Sequence, residues 1–138
     1  MMFSAVPKQV VDVVWDDVVK VLKPAVDTAK GKLGIKDIKD YLSNGFYELW
    51  VVMDGTKIVA AITTRIIEYP ERKALAMDFI GGERMKEWLP QAQKTIEQFA
   101  VDNNCSHLEG YGRKAWGRWL GKYGWEPDYI AYRMEING

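Results

Sequence analysis

The stretch Ile96-Glu97-Gln98-Phe99-Ala100-Val101-Asp102-Asn103-Asn104-Cys105-Ser106-His107-Leu108-Glu109-Gly110 decides the fold. Its first part continues an apolar stripe, Trp88, Ala92, Ile96, Phe99 and Ala100, at the three- and four-residue spacing of a long helix. Asn103-Asn104 closes that helix, and Cys105 to Gly110 reads as a short buried strand. A strand precedes the helix as well, because Lys73 to Ile80 alternates and ends at Gly81-Gly82. Strand, helix and strand in that order make a crossover unit, whose two strands lie parallel in one sheet. Pro90 either kinks the helix or sits in the first turn of one that begins near Leu89.

Upstream, Phe46 to Met53 leads into Asp54-Gly55, a strong hairpin signal, and Lys57 to Ile67 answers it with β-branched residues. Tyr69-Pro70-Glu71-Arg72 makes the next turn, so three strands form an antiparallel meander. The first third is helical. Val10, Val11, Val14, Val18, Val21 and Leu22 form a stripe that Pro24 ends or bends. A second helical stretch, divided around Gly31 and Gly34, ends near Ser43-Asn44-Gly45. Met2 to Val6 is a candidate short first strand. Downstream, Lys114 to Lys122 is an amphipathic helix, and Gly124-Trp125 opens a last strand, Tyr129 to Ile136. The expected fold is α/β (α+β): a mixed central sheet with an antiparallel meander and flanking helices, in one domain over 1–138.

Composition narrows the function. With 19 basic and 19 acidic residues the formal net charge is zero, which argues against a nucleic-acid partner. One cysteine and one histidine leave no internal disulfide, no zinc or redox spacing and no multi-histidine site, and no metal is expected. Asp12, Asp16 and Asp17 interrupt the N-terminal valines, and no apolar run is long enough to span a bilayer. The expected location is the cytoplasm.

This order of elements, over about Phe46 to Ile136, resembles the GNAT N-acetyltransferases. The helix and strand quoted above carry the local match, and Gly124-Trp125 resembles the Gly-Phe pair before that family's last strand. Among relatives the chain is most similar to short GNAT-like proteins of bacteriophages, with Gly112-Arg113, Trp116 and Gly124 in the same arrangement. The resemblance implies an acetyl-CoA-dependent N-acyltransferase that acts on a small-molecule or protein amine. For a phage-encoded protein it implies the host cytoplasm or the virion.

The family binds the cofactor's pyrophosphate with amides of an Arg-x-x-Gly-x-Gly/Ala loop that opens the long helix. Here that motif falls on Arg84-Met85-Lys86-Glu87-Trp88-Leu89, with Glu87 and Leu89 at the small positions. The loop is therefore degenerate. Gly81-Gly82 is the candidate replacement anion-binding turn, with Arg84 and Lys86 supplying charge, Arg113 opening a helix beside the cleft, and Ile80 and Gly81 offering amides to an oxyanion. The position of the family's general-acid tyrosine holds Leu120; Tyr123 is nearby in sequence but points elsewhere on the helix, and a water or Tyr111 are the candidate substitutes.

Asp78 is the candidate general base, on a strand face shared with Ala74, Ala76 and Ile80. Glu109 and Tyr111 share a face with His107 and form a candidate acceptor site, although a buried hydrogen-bonded network accounts for the same pattern. Cys105 reads as a small buried hydrophobe. Arg113 to Lys122 is a basic run interleaved with aromatics, most simply the solvated side of a helix. The altered loop and missing tyrosine also admit an inactive GNAT-fold protein that binds a protein partner. Six tryptophans and seven tyrosines supply aromatic surface for such an interface or a homo-oligomer.

Overall fold

The computed structural model describes residues 1–29, 31–112 and 117–136. Five strands, β1 (Met2–Val6), β2 (Glu48–Asp54), β3 (Lys57–Glu68), β4 (Lys73–Gly82) and β5 (His107–Gly110), form one sheet in sequence order. The first three pairings are antiparallel and β4–β5 is parallel. The connection between β4 and β5 is helix α3 (Met85–Asp102), as the crossover reading requires. Helices α1 (Val11–Val26) and α2 (Ile35–Ser43) cover the opposite face.

The sheet is buried on both sides, which is why β2 reads as an almost continuous apolar run. Alternate residues of β2 serve different layers: Leu49 and Val51 pack with Val18, Leu22, Ile38 and Leu42, while Trp50 and Val52 pack with Trp88, Leu89, Ala92 and Ile96. The Trp50 indole donates to Thr64 Oγ1 at 2.9 Å, which satisfies a polar group inside the second layer.

Several local expectations change. Pro24 lies in the last turn of α1, which continues two residues further to Val26. α3 begins at Met85, not near Leu89, so Pro90 sits inside it. The left-handed conformation of Arg84 (φ 61°) turns the chain into the helix, and the Trp88 indole donates to the Glu83 carbonyl at 2.8 Å across its first turn. Gly81 and Gly82 do not break β4: they are its last two residues, paired with Ala61 and Ala60. The C-terminal region differs most. A short helix α4 (Gly117–Leu120) and a 3-10 turn (Gly121–Tyr123) are present, but residues 129–136 lie outside the sheet and pair with no strand. No helix among the described residues is long and apolar enough to cross a membrane.

Candidate functional site

The site is created by a one-residue bulge. Thr63 pairs with Phe79 and Thr64 with Met77, so Asp78 is an extra residue in β4 with no opposite number on β3. β5 ends at the same level: its last pair with β4 is Met77 with Gly110. From Asp78 to Gly82, β4 therefore runs on with no described strand on its β5 side, and its outward backbone groups line an open notch. On the α3 side this notch is bounded by Trp125, which lies against Gly110 and donates from its indole to Gln93 Oε1 at 2.8 Å.

The bulge also changes which side chains share a face. The expectation that Ile80 lies beside Asp78 is overturned, because the extra residue reverses the alternation. Phe79 packs in the α1/α2 layer and Ile80 in the α3 layer. Adjacent amides of a strand point to opposite edges, so of Ile80 and Gly81 one serves β3 and the other faces the notch. Leu120 and Trp119 pack partly buried against the α3 layer.

On the α1/α2 face, tertiary contacts assemble a polar cluster. Arg65 Nε donates to Asp78 Oδ2 at 2.5 Å, and Nη2 reaches Oδ1 at 3.3 Å. The Asp78 side chain is only 9% exposed, so this fork makes its ionised form tolerable. Tyr69 donates to Glu109 at 2.9 Å, Tyr111 donates to Oε1 at 3.2 Å, and His107 Nε2 meets Oε2 at 2.8 Å. His107 Nδ1 in turn lies 2.9 Å from Ser106 Oγ, and the Ser106 amide donates to the Lys73 carbonyl at 2.7 Å. Glu109 and Tyr111 are thus brought together with His107, and Asp78 stands one strand away beside Arg65.

Electrostatics separate the roles of these groups. Burial pushes the Glu109 carboxyl upward, but hydrogen bonds from His107, Tyr69 and Tyr111 outweigh it and hold the group below its ordinary value of 4.5. Burial, then the Glu109 charge and hydrogen bond, push the Tyr111 phenol up to about 12. Tyr47 is also pushed to about 12, first by burial and then by Asp78. Both phenols remain protonated donors at neutral pH. Because the folded-state value of Glu109 is depressed, its contribution to stability is present above about pH 4.5 and is lost as pH falls through the folded value. The stability advantage of the wild type over Glu109→Gln is expected at pH 7 and shrinks below pH 4.5, measured by urea unfolding at both ends.

The anion-binding candidates are arranged differently from expectation. Gly81 lies under α1: a Cβ there would sit 2.2 Å from the Val21 carbonyl oxygen. Gly82 has φ +126°, and its Cβ would sit 2.3 Å from the Val59 oxygen. Both glycines are required by packing, and they lie within a strand. Arg84, at the start of α3, donates to Asp54 at 2.6 Å and to Glu87 at 2.7 Å. Its hydrogen bonds to Glu87 and Asp54 push its guanidinium further toward permanent protonation. Leu89 is buried in the α3 layer and does not crowd the helix start; Lys86 is exposed beside it. Arg113 lies outside the described residues. Cys105 is half-buried, and burial pushes its thiol upward, away from a nucleophilic thiolate.

The residues that sequence reasoning missed are Arg65, Tyr69, Tyr47 and Ser106. Tyr69 and Glu109 are 40 positions apart, and only the β3–β4 turn brings the phenol over β5. The one available signal was an arginine among the apolar residues of β3, at a position paired with Ala76.

No family model matches the chain, and no curated protein matches its sequence. Solved structures do match its shape. An aminoglycoside acetyltransferase from an uncultured soil metagenomic sample, in complex with sisomicin, superposes with a TM-score of 0.73 at 9% identity, over 99% of this chain and 96% of that one. A GNAT family acetyltransferase of Staphylococcus aureus gives 0.67 at 12% identity, over 98% of each chain. A transcriptional regulator from Bacillus halodurans gives 0.68 at 10% identity, over 98% of this chain and 99% of that one. The chain has the GNAT acetyltransferase fold.

Proposed function

We propose that this protein is an acyl-CoA-dependent N-acyltransferase whose reacting centre is the notch where β4 parts from β5. The observation that carries this reading is the bulge at Asp78. It lies where β4–β5 pairing stops, at Met77–Gly110, and the strand edge beyond it stands beside the Glu109, His107 and Tyr111 cluster. An exposed strand edge binds an extended, amide-bearing chain by main-chain hydrogen bonds, and the acyl-pantetheine arm of acetyl-CoA is such a chain. The edge from Asp78 to Gly82 fits that half of the cofactor. The start of α3 fits the diphosphate less well, because two carboxylates already hold Arg84.

When bound, acetyl-CoA would supply a thioester carbonyl for attack by an amine. The chain's own residues do the rest. Glu109, ionised and held at 2.8 Å by His107 Nε2, accepts the proton of the incoming amine. Tyr69 and Tyr111 orient the carboxylate. The anionic character of the cluster selects a cationic amine as acceptor. Arg65 holds Asp78 as a positioning pair, not as a free base.

A second reading, an inactive GNAT-fold protein of phage type that binds a protein partner, is favoured by the closed Asp54–Arg84–Glu87 cluster. Calorimetric titration with acetyl-CoA, and with desulfo-CoA as control, separates the two. Saturable micromolar binding is expected, weakened about tenfold or more in Arg84→Ala, which leaves Asp54 and Glu87 facing the ligand without their counter-charge. Absence of binding at millimolar ligand overturns the acyltransferase reading.

A further inference from the structure

At the end of the sheet away from the notch stands β1, whose outer edge pairs with no described strand. Native edges are blunted by charge, proline or a bulge, and Met2-Phe3-Ser4-Ala5-Val6 carries none of these. Met2 is 67% exposed, and Ala5 is exposed as well. On the α3 side, Trp50 and α3 bound an open groove of about 490 Å³. Its floor is Trp50 and Phe99, in edge contact at 5.3 Å, and Phe3 of β1 stacks on the same indole at 5.5 Å. Its α3 wall carries Lys94, Gln98 and Asp102, all exposed and one above another at four-residue spacing. Gln98 Nε2 donates to Asp102 Oδ1 at 2.9 Å, whereas Lys94 pairs with no carboxylate among the described residues. The ridge is therefore positive at one end, neutral in the middle and negative at the other end, about 12 Å away.

We infer that the β1 strands of two copies pair antiparallel about a two-fold axis at Ser4, which joins the two sheets into one. The strand's own alternation sets the register. Phe3 and Ala5 face the α3 layer, while Met2, Ser4 and Val6 face the α1/α2 layer. About Ser4, the partner's Phe3 falls opposite Ala5 and the partner's Met2 opposite Val6. Each large side chain meets a smaller one, and the two serine hydroxyls meet on the axis. Ala5 is itself paired with Trp50, so the partner's Phe3 enters the cross-strand row that leads to the groove floor. Phe99 lies at the level of Trp50, so the same rotation sets Gln98 against its own copy and Lys94 against the partner's Asp102, twice over. Strand and ridge are each complementary to themselves under one rotation, and that makes a second copy the occupant. The interface lies at the opposite end of the sheet from the notch and does not depend on the acyltransferase reading.

The test is sedimentation equilibrium on the full chain. The expected result is a particle of twice 15.8 kDa at micromolar concentration. Lys94→Glu sets carboxylates face to face at two places and is expected to raise the dimer dissociation constant about tenfold or more. Its circular dichroism spectrum should be unchanged, because the side chain is exposed. Adding Asp102→Lys to that variant brings opposite charges together again and is expected to restore the dimer. Ser4→Cys, in a Cys105→Ser background, is expected to give a disulfide-linked dimer on mild oxidation, since opposed residues of an antiparallel pair lie within disulfide reach. Four results would each overturn the inference: a monomer at high micromolar concentration, a dimer indifferent to Lys94→Glu, no recovery in the double variant, or a Ser4→Cys protein that does not cross-link.

Discussion

Gly81→Ala is expected to destabilise the protein by about 3 kcal/mol, the upper part of the range for overpacking a core. The added methyl would sit 2.2 Å from the Val21 carbonyl oxygen and 3.0 Å from the Leu22 Cα. Both neighbours are helix backbone, so no side chain can rotate away. α1 must lift from β4, which loosens the layer that holds Val18, Leu22 and Ile38. For a chain of this length the loss corresponds to a fall in Tm of roughly 10 °C. Gly117→Ala is the control, because nothing lies within 4 Å of a Cβ there, and it should melt within about 2 °C of the wild type. The measurement is thermal unfolding followed by circular dichroism. A Gly81→Ala protein that melts normally would free this glycine from its packing role and return it to consideration as an anion-binding turn.

The second large effect concerns chemistry. Once an amine that the protein acetylates is in hand, Glu109→Gln is expected to lower kcat by about 10²–10⁴-fold, the usual contribution of a positioned general base, with KM changed much less. The substitution keeps shape and one carbonyl acceptor for Tyr69 and Tyr111, but removes the carboxylate proposed to take the amine's proton. Because three hydrogen bonds hold Glu109 below its ordinary value, the carboxylate is ionised across the neutral range and ready to accept. It is a weak base by itself. The imidazole of His107, in direct contact, helps to hold the carboxylate in place. A Glu109→Gln enzyme with full kcat would remove Glu109 from the mechanism and move the search for the base to His107. Acetyl-CoA binding should be the same in both proteins, so loss of binding and loss of chemistry remain separate observations.

The two arms of this site were legible to different degrees. Glu109, Tyr111 and His107 could be grouped from the sequence because they alternate along one short strand, and alternation is a local property. Their partner Tyr69 could not, since nothing within ten residues of Glu109 points to it. Asp78 was legible as a carboxylate near a strand end, but its state was not. Only the register of β3 against β4 reveals that Arg65 forks onto it. Ile80 was placed on the wrong face for the same reason, because a bulge shifts parity and no residue type announces it. The Gly81-Gly82 pair is similar: two glycines in sequence signal a turn, whereas here they admit a helix and a neighbouring strand at contact distance.

The sequence by itself determined the hairpin at Asp54-Gly55, the helical stripes of α1 and α3, the crossover into β5 and hence the mixed sheet with helices on both faces. These follow from turn chemistry and from periods of two and 3.6 residues, which are written in neighbouring positions. Tertiary structure alone decided the bulge that opens the notch, the Arg65–Asp78 fork, the carboxylates that hold Arg84, and the exposure of 129–136. Each of these depends on how segments distant in the chain are aligned in space, and a change of one residue in register exchanges the faces of everything beyond it.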